Sequence, residues 1–349
     1  MFAGMIDLRS DTVTRPTAAM RQAMANAEVG DDVFGEDPSA IALQAEVAKV
    51  CGKEAALFVS SGTMSNQLAI AVQTRPGDEV IASDGAHVIW YETGGAAALS
   101  GVQLSAAGTG GLFTADEMEA QMKPAAYWSP RTSLVCVENT HNRAGGRIFP
   151  QSDIRVIAER ARVHGLALHL DGARIWNASV ATGLTVAELA APFDTISVCF
   201  SKGLCAPAGS ALVGPRALIE RAHRLRKMWG GGMRQVGVLA AAARFALANH
   251  RERMVDDHTN AKLLAERMGK VPGAHVDALR VESNIVNIDL DAPLTGEGVA
   301  GIARTMGLAI NASGPRRLRA VTHLDVTRAD VEKGTELLAE AIARASGEK

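Results

Sequence analysis

Aromatic side chains are scarce in this chain: Phe, Trp and Tyr together make up 4 % of its 349 residues. Any core it builds must therefore be aliphatic and rich in alanine. Proline is also sparse, at 12, while 47 % of residues are hydrophobic, a balance that excludes a disordered or low-complexity chain. Neither sign of charge dominates. With 36 Lys and Arg against 38 Asp and Glu the net charge is −2, so no basic footprint for nucleic acid or anionic lipid is expected. The four cysteines, Cys51, Cys136, Cys199 and Cys205, are too widely spaced for a zinc-binding pair, and a chain of this length needs no disulfide staples. Reduced thiols and a cytoplasmic location are the expectation, and no metal ligand set is assigned. No apolar run approaches the ~18 residues of a spanning helix, and the opening MFAGMIDLRSDTVTR has no signal-peptide pattern, so neither a membrane nor an export role is expected.

What is present is a regular alternation. Short apolar runs at Ala55 to Val59, Glu79 to Ala82, Ser133 to Val137, Leu166 to Leu170, Thr195 to Phe200 and Ser210 to Val213 end in polar or glycine clusters. They are too short for helices and apolar on both faces, as strands covered from both sides are. Helical patterns at Ile154 to His164 and Ala217 to Arg226 fall between them, which predicts an α/β domain on a largely parallel sheet. After about residue 250 the pattern changes. Val286, Ile288 and Leu290 alternate with Asn287 and Asp289, the period of a strand with one wet face, and helical patterns at Ala261 to Met268 and Val331 to Ala343 flank it. The chain divides accordingly into an arm at 1–15, a large domain at 16–250 and a smaller α+β domain at 251–349.

The polar clusters stand where an open parallel sheet binds ligands, at the carboxyl ends of its strands. In AALFVSSGTMSNQLAIA a strand, a small-residue turn and a helix follow one another; the turn amides with Ser61 and Thr63 suit a phosphate, and a plain helix cap accounts for the same residues. Asp171 ends one apolar run and Lys202 follows the next, 31 residues later. A carboxylate and an amine converging with a phosphate cup match the needs of pyridoxal 5'-phosphate, which bonds to a lysine and sets an acid against its ring nitrogen. A solvated Asp and a solvated Lys are the alternative. His87, in SDGAHVIWYE, is placed either to stack on such a ring or to sit satisfied in the core.

Nine blocks in order, DLRSDTVTRPT, EVGDDVFGED, KEAALFVSSGTMSNQ, HVIWYE, PRTSLVCVENTHNRAGG, HLDGARIWNA, SKGLCAP, KMWGGGMRQ and RAVTHLD, resemble the low-specificity L-threonine aldolases, pyridoxal-phosphate enzymes of fold type I. The resemblance implies a mostly parallel seven-stranded sheet in the large domain and an active site completed by a second chain, in a homodimer or homotetramer. It makes Lys202 the cofactor-bonding lysine and Asp171 the partner of the ring nitrogen. Gly62 and Thr63 would hold the phosphate with Arg234, and with Lys227 from a neighbouring subunit, while His87 stacks on the ring. Ser10 and Arg319 would hold the substrate carboxylate, and Arg174 that carboxylate or the ring oxygen. His141 of ENTHNR falls near the substrate hydroxyl, so either His141 or His87 is the base. The implied reaction is cleavage of L-threonine or L-allo-threonine to glycine and acetaldehyde, with β-elimination or racemisation as the neighbouring alternatives. One block departs from the family pattern: Phe34 stands where a tyrosine is usual.

Overall fold

The computed structural model describes residues 4–347. A short strand β1 (Ile6–Asp7) opens the chain and pairs in parallel with a strand three hundred residues on, considered below. The large sheet contains β2 (Ala55–Val59), β3 (Glu79–Ser83), β4 (Gln103–Ala107), β5 (Thr132–Glu138), β6 (Ala167–Gly172), β7 (Thr195–Cys199) and β8 (Ser210–Gly214), in the order β2-β8-β7-β6-β5-β3-β4. All run parallel except β8, which is antiparallel to both neighbours. The carboxyl ends of β2, β3, β5, β6 and β7 therefore share one edge.

Both faces of this sheet are covered, which explains the doubly apolar runs. On one face Phe58, Val135, Leu168 and Val198 pack with the helices Pro38–Val50, Gln151–Val163 and Gly237–Asn249. On the other, Leu57 and Val59 meet Leu68 and Val72 of the helix Gly62–Gln73 and Ile219 of Arg216–Met228. The six apolar runs are six of the seven strands, with ends shifted by a residue or two. The strand that periodicity passes over is β4, an edge strand whose Gln103 is exposed and whose Ser105 is half-buried.

The smaller sheet has the order β12-β13-β10-β9, from β9 (Ala274–His275), β10 (Ile285–Leu290), β12 (Asn311–Gly314) and β13 (Arg317–Val321), all antiparallel. In β10 the alternating sequence becomes alternating burial, with Val286, Ile288 and Leu290 in the core and Asn287 and Asp289 less covered. The partner of β1 is β11 (Leu308–Ala309), and Leu8 joins the core of this second unit. The helices Met254–Met268, Gly296–Thr305 and Arg328–Ser346 complete it, the last opened by a capping box between Thr327 and Asp330.

Candidate active site

Asp171 is the last but one residue of β6 and nearly closed to water. Its Oδ2 accepts a hydrogen bond of 2.8 Å from Asn66 Nδ2 and its Oδ1 one of 3.1 Å from the Ala173 amide. Burial alone would raise the carboxyl's proton affinity, but the charges of His87 and Lys202 and the Asn66 bond outweigh it and hold the group ionised below the ordinary aspartate range. Asn66 serves a second acid, since the same Nδ2 lies 2.7 Å from Glu92 Oε1. Its Oδ1 is 3.2 Å from His169 Nε2.

His87 begins the short helix His87–Trp90. Its Nδ1 is 2.8 Å from Glu92 Oε1, a contact that sets the ring's orientation. Burial pulls its pKa down, yet the Glu92 bond and the charges of Asp171, Glu92 and Glu138 raise it above the usual histidine value. His87, Glu92 and Asp171 each bring a side-chain atom within 4.8 Å of the other two, a spacing that could also hold a metal ion.

Lys202 follows β7 on the turn after Cys199, with Nζ 3.5 Å from Cys199 Sγ. The turn is tied to the amino-terminal arm by Thr14, whose Oγ1 donates to the Lys202 carbonyl at 3.4 Å. Gly62 starts the helix Gly62–Gln73 beside it, and Ser61 caps that helix by accepting the Met64 amide at 3.2 Å. No side chain fits at position 62, because a Cβ there would lie 2.8 Å from Cys199 Sγ. Thr63 is half-buried in the first turn.

A cavity of about 360 Å³ opens in front of these groups, lined by Ser10, His87, Tyr91, Arg174, Lys202 and Arg319 among others. Arg174 faces Asp11 through two parallel bonds, Nε to Oδ2 at 2.8 Å and Nη2 to Oδ1 at 2.7 Å. Burial raises the Asp11 carboxyl on its own, but Arg174 and Lys202 bring it far below its ordinary value. Arg319 sits on β13 with Nη1 3.0 Å from Asn142 Oδ1, and its buried Nε has no partner among the described residues. Burial and the nearby Arg174 lower its pKa, so this guanidinium is held where an added anion would relieve it. Ser10 Oγ accepts from the amide and hydroxyl of Thr12 at 3.2 and 2.9 Å.

The structure thus brings Lys202, His87, Arg174, Arg319 and Ser10 together around one space, with Asp171 against His87 and Gly62 against the Cys199 thiol that Lys202 also meets; Thr63 follows Gly62 in the same helical turn. His141 is fully buried behind the cavity and lines a separate one of about 420 Å³. Its Nδ1 accepts the Ala144 amide at 3.2 Å and its Nε2 is 3.9 Å from Glu138. Arg234 is bonded to Asp31 at 2.8 Å and is about half exposed. Lys227 lies against Gly232 on that same outer side, near Met228, which is 68 % exposed. Phe34 projects there at 72 % exposure, under the Arg234 guanidinium.

Reading the sequence did not find Asn66, Glu92, Asp11 or Asn142. Asn66 stands one helical turn after the small-residue loop and Glu92 ends the HVIWYE block, so the motifs contained both; their roles need partners distant in sequence. The donor set fits pyridoxal 5'-phosphate: an ionised buried acid, an amine across a cavity, a helix start with no room for a side chain, and an unpartnered guanidinium nitrogen.

Comparison with known proteins gives the family and the fold. The family model of β-eliminating lyases matches residues 7–291. The chain is 44 % identical over 338 residues to low-specificity L-threonine aldolase 1 of Arabidopsis thaliana, covering 95 % of this chain and 94 % of that protein. It is equally 44 % identical over 329 residues to the low specificity L-threonine aldolase of Escherichia coli K12, covering 93 % and 95 %. Its fold matches the Leishmania major threonine aldolase with a TM-score of 0.81 at 20 % identity, over 97 % of this chain and 99 % of that one. Sphingomonas wittichii serine palmitoyltransferase shares the fold with a TM-score of 0.76 at 18 % identity, over 98 % and 88 %. With a buried acid and a lysine at this sheet edge and an arginine supplied by the smaller sheet, the chain belongs to the low-specificity L-threonine aldolases, within the β-eliminating lyase family of fold type I pyridoxal-phosphate enzymes.

Proposed function

We propose that this protein cleaves L-threonine and L-allo-threonine to glycine and acetaldehyde, and runs the reverse aldol addition to make β-hydroxy-α-amino acids. The observation that carries the reading is the shared cavity, where Lys202 and His87 face the same space as Arg319 while Asp171 lies against His87. When bound, pyridoxal 5'-phosphate supplies a ring that accepts the electron pair released as a bond at the substrate's Cα breaks. Asp171, kept ionised, holds a proton on the ring nitrogen. Lys202 is the covalent attachment point, and Gly62 and Thr63 receive the phosphate at a helix start.

Arg319, Arg174 and Ser10 orient the substrate by its carboxylate. A guanidinium suits this because its fork gives two parallel hydrogen bonds, and fixing the carboxylate would select which bond at Cα is oriented for cleavage. Of the two candidate bases, His87 lines the cavity and His141 does not. His87 therefore takes the proton of the β-hydroxyl, directly or through a water. The protein works as a homodimer or homotetramer: Phe34, Met228, Lys227 and Arg234 form an exposed, partly apolar and basic surface that suits a second copy. Four unpaired buried thiols support a cytoplasmic setting, and no described helix is long and apolar enough to cross a membrane.

The competing reading, elimination at the β-carbon, draws on the matched family's description. Incubation with L-threonine and with L-serine separates the two. Equal amounts of glycine and acetaldehyde from threonine support the aldolase; pyruvate and ammonia from serine without acetaldehyde from threonine overturn it.

A further inference from the structure

Glu138 ends β5 in register with Asp171 on β6 and is buried, yet no step above uses it. Its Oε2 accepts the backbone amide of His87 at 2.6 Å, and its Oε1 accepts the backbone amide of Asn142 at 2.8 Å. Both His87 and Asn142 line the cavity. At the first, the helix His87–Trp90 starts after Ala86, whose methyl side chain cannot cap it, and the Glu138 carboxylate at the end of β5 does so instead. At the second, Asn142 is the residue whose Oδ1 meets Arg319 Nη1.

The loop 139–146 has further supports: its own backbone, through the His141 amide to the Arg147 carbonyl at 2.8 Å and the Gly146 amide to the His141 carbonyl at 2.9 Å, the Asn139 amide to the Asp171 carbonyl at 3.0 Å, and the Ser283 and Asn287 side chains, which donate to the Gly146 and Arg143 carbonyls at 2.8 and 3.3 Å. His141 lies next to Glu138, with its Nε2 3.9 Å from the carboxylate and without a hydrogen-bond partner among the described residues. Because its Nδ1 accepts from Ala144, the neutral ring carries its proton on Nε2, on the side of Glu138.

We propose that Glu138 is a positioning residue that sets the span between the ring-facing His87 and the carboxylate-gripping Arg319. This rests on the function proposed above. It deepens that reading: one carboxylate, touching neither substrate nor cofactor, fixes how far apart the proton-accepting and substrate-orienting groups stand.

Amide hydrogen exchange on the cofactor-free protein tests this positioning without reference to activity. Glu138→Met keeps the volume and removes both acceptors, so the segments 85–91 and 139–146 should each exchange about tenfold faster or more, with the strands of the large sheet unchanged. Wild-type protection at either segment overturns the proposal. Glu138→Gln retains one accepting oxygen and is the fallback if the methionine variant does not fold. It should relax one segment and spare the other; protection at both overturns the idea. In the loaded enzyme, Glu138→Met should raise KM for threonine about tenfold and lower kcat as well, the split expected when both His87 and Arg319 move. Unchanged KM and kcat would sink the inference, whereas a wild-type enzyme inert toward threonine would sink the function proposed above and leave the exchange result standing.

Discussion

Asp11 and Arg174, 163 residues apart, meet through two parallel hydrogen bonds of 2.7 and 2.8 Å at a point nearly closed to water. Asn284 adds a third contact to the same carboxylate at 3.2 Å. Asp11 comes from the amino-terminal arm, Arg174 from the end of β6 and Asn284 from the start of β10. The pair therefore fastens three parts of the chain at the cavity wall.

Removing one partner of such a pair leaves the other charge buried alone. Asp11→Ala should cost about 3–5 kcal/mol of stability, read as a lowered urea midpoint. It should also raise KM for threonine, since Arg174 loses the contact that aims it. A variant with wild-type stability would show that the pair does not close in solution.

Asn66→Leu takes away the amide shared by Asp171 and Glu92. Two buried carboxylates then lack their common donor, and Asp171 loses one of the contacts that favour its ionised form. Cofactor affinity should fall about tenfold, measured by titration of the cofactor-free protein with pyridoxal 5'-phosphate. Equal affinities would detach Asn66 from the ring site.

Lys202→Ala should abolish the visible absorption of the lysine-bound cofactor, and persistence of that band would point to another lysine. Arg319→Lys should keep the band while KM for threonine rises ten- to a hundredfold, on the order of 1.4 to 3 kcal/mol for the lost forked contact. Unaltered kinetics would take Arg319 out of the substrate site.

Acid should weaken the fold well above the range of carboxylate titration. Burial lowers His169 and His258 from the ordinary histidine value of 6.5 to about 4. Between those values the unfolded chain binds protons that the native one refuses, so stability falls as pH drops from about 6.5 and levels off below about 4. At pH 5 each group accounts for roughly 2 kcal/mol. His258→Gln should flatten the dependence of the urea midpoint on pH between 7 and 5, and an unchanged slope would refute the assignment.

Strand ends and the chemistry at them were legible in the sequence where the signal was local. The runs that became β2, β3, β5, β6, β7 and β8 are apolar on both faces because helices cover both, and Asp171 and Lys202 stand directly after such runs. The edge strand β4 escaped because an uncovered strand keeps Gln103 and Ser105 among its residues and loses that signature. Asp11, Glu92 and Asn142 escaped for a different reason. Each acts through a contact with a residue elsewhere in the chain, and short-range periodicity carries no information about which distant group will face it. Resemblance to a family supplied the roles of Ser10 and Arg319, which no spacing would have suggested.

The parallel pairing of Ile6–Asp7 with Leu308–Ala309 also governs how the protein comes into being on the ribosome. The first strand emerges some three hundred residues before its mate. At roughly 5–20 residues per second that is a delay on the order of 15–60 seconds, during which the arm has no strand to pair with and only its contacts to Arg174 and the Lys202 turn to hold it. A nascent chain interrupted anywhere before residue 308 therefore lacks a finished pocket, however well its large sheet has formed, and activity should arrive only with the last portion of translation.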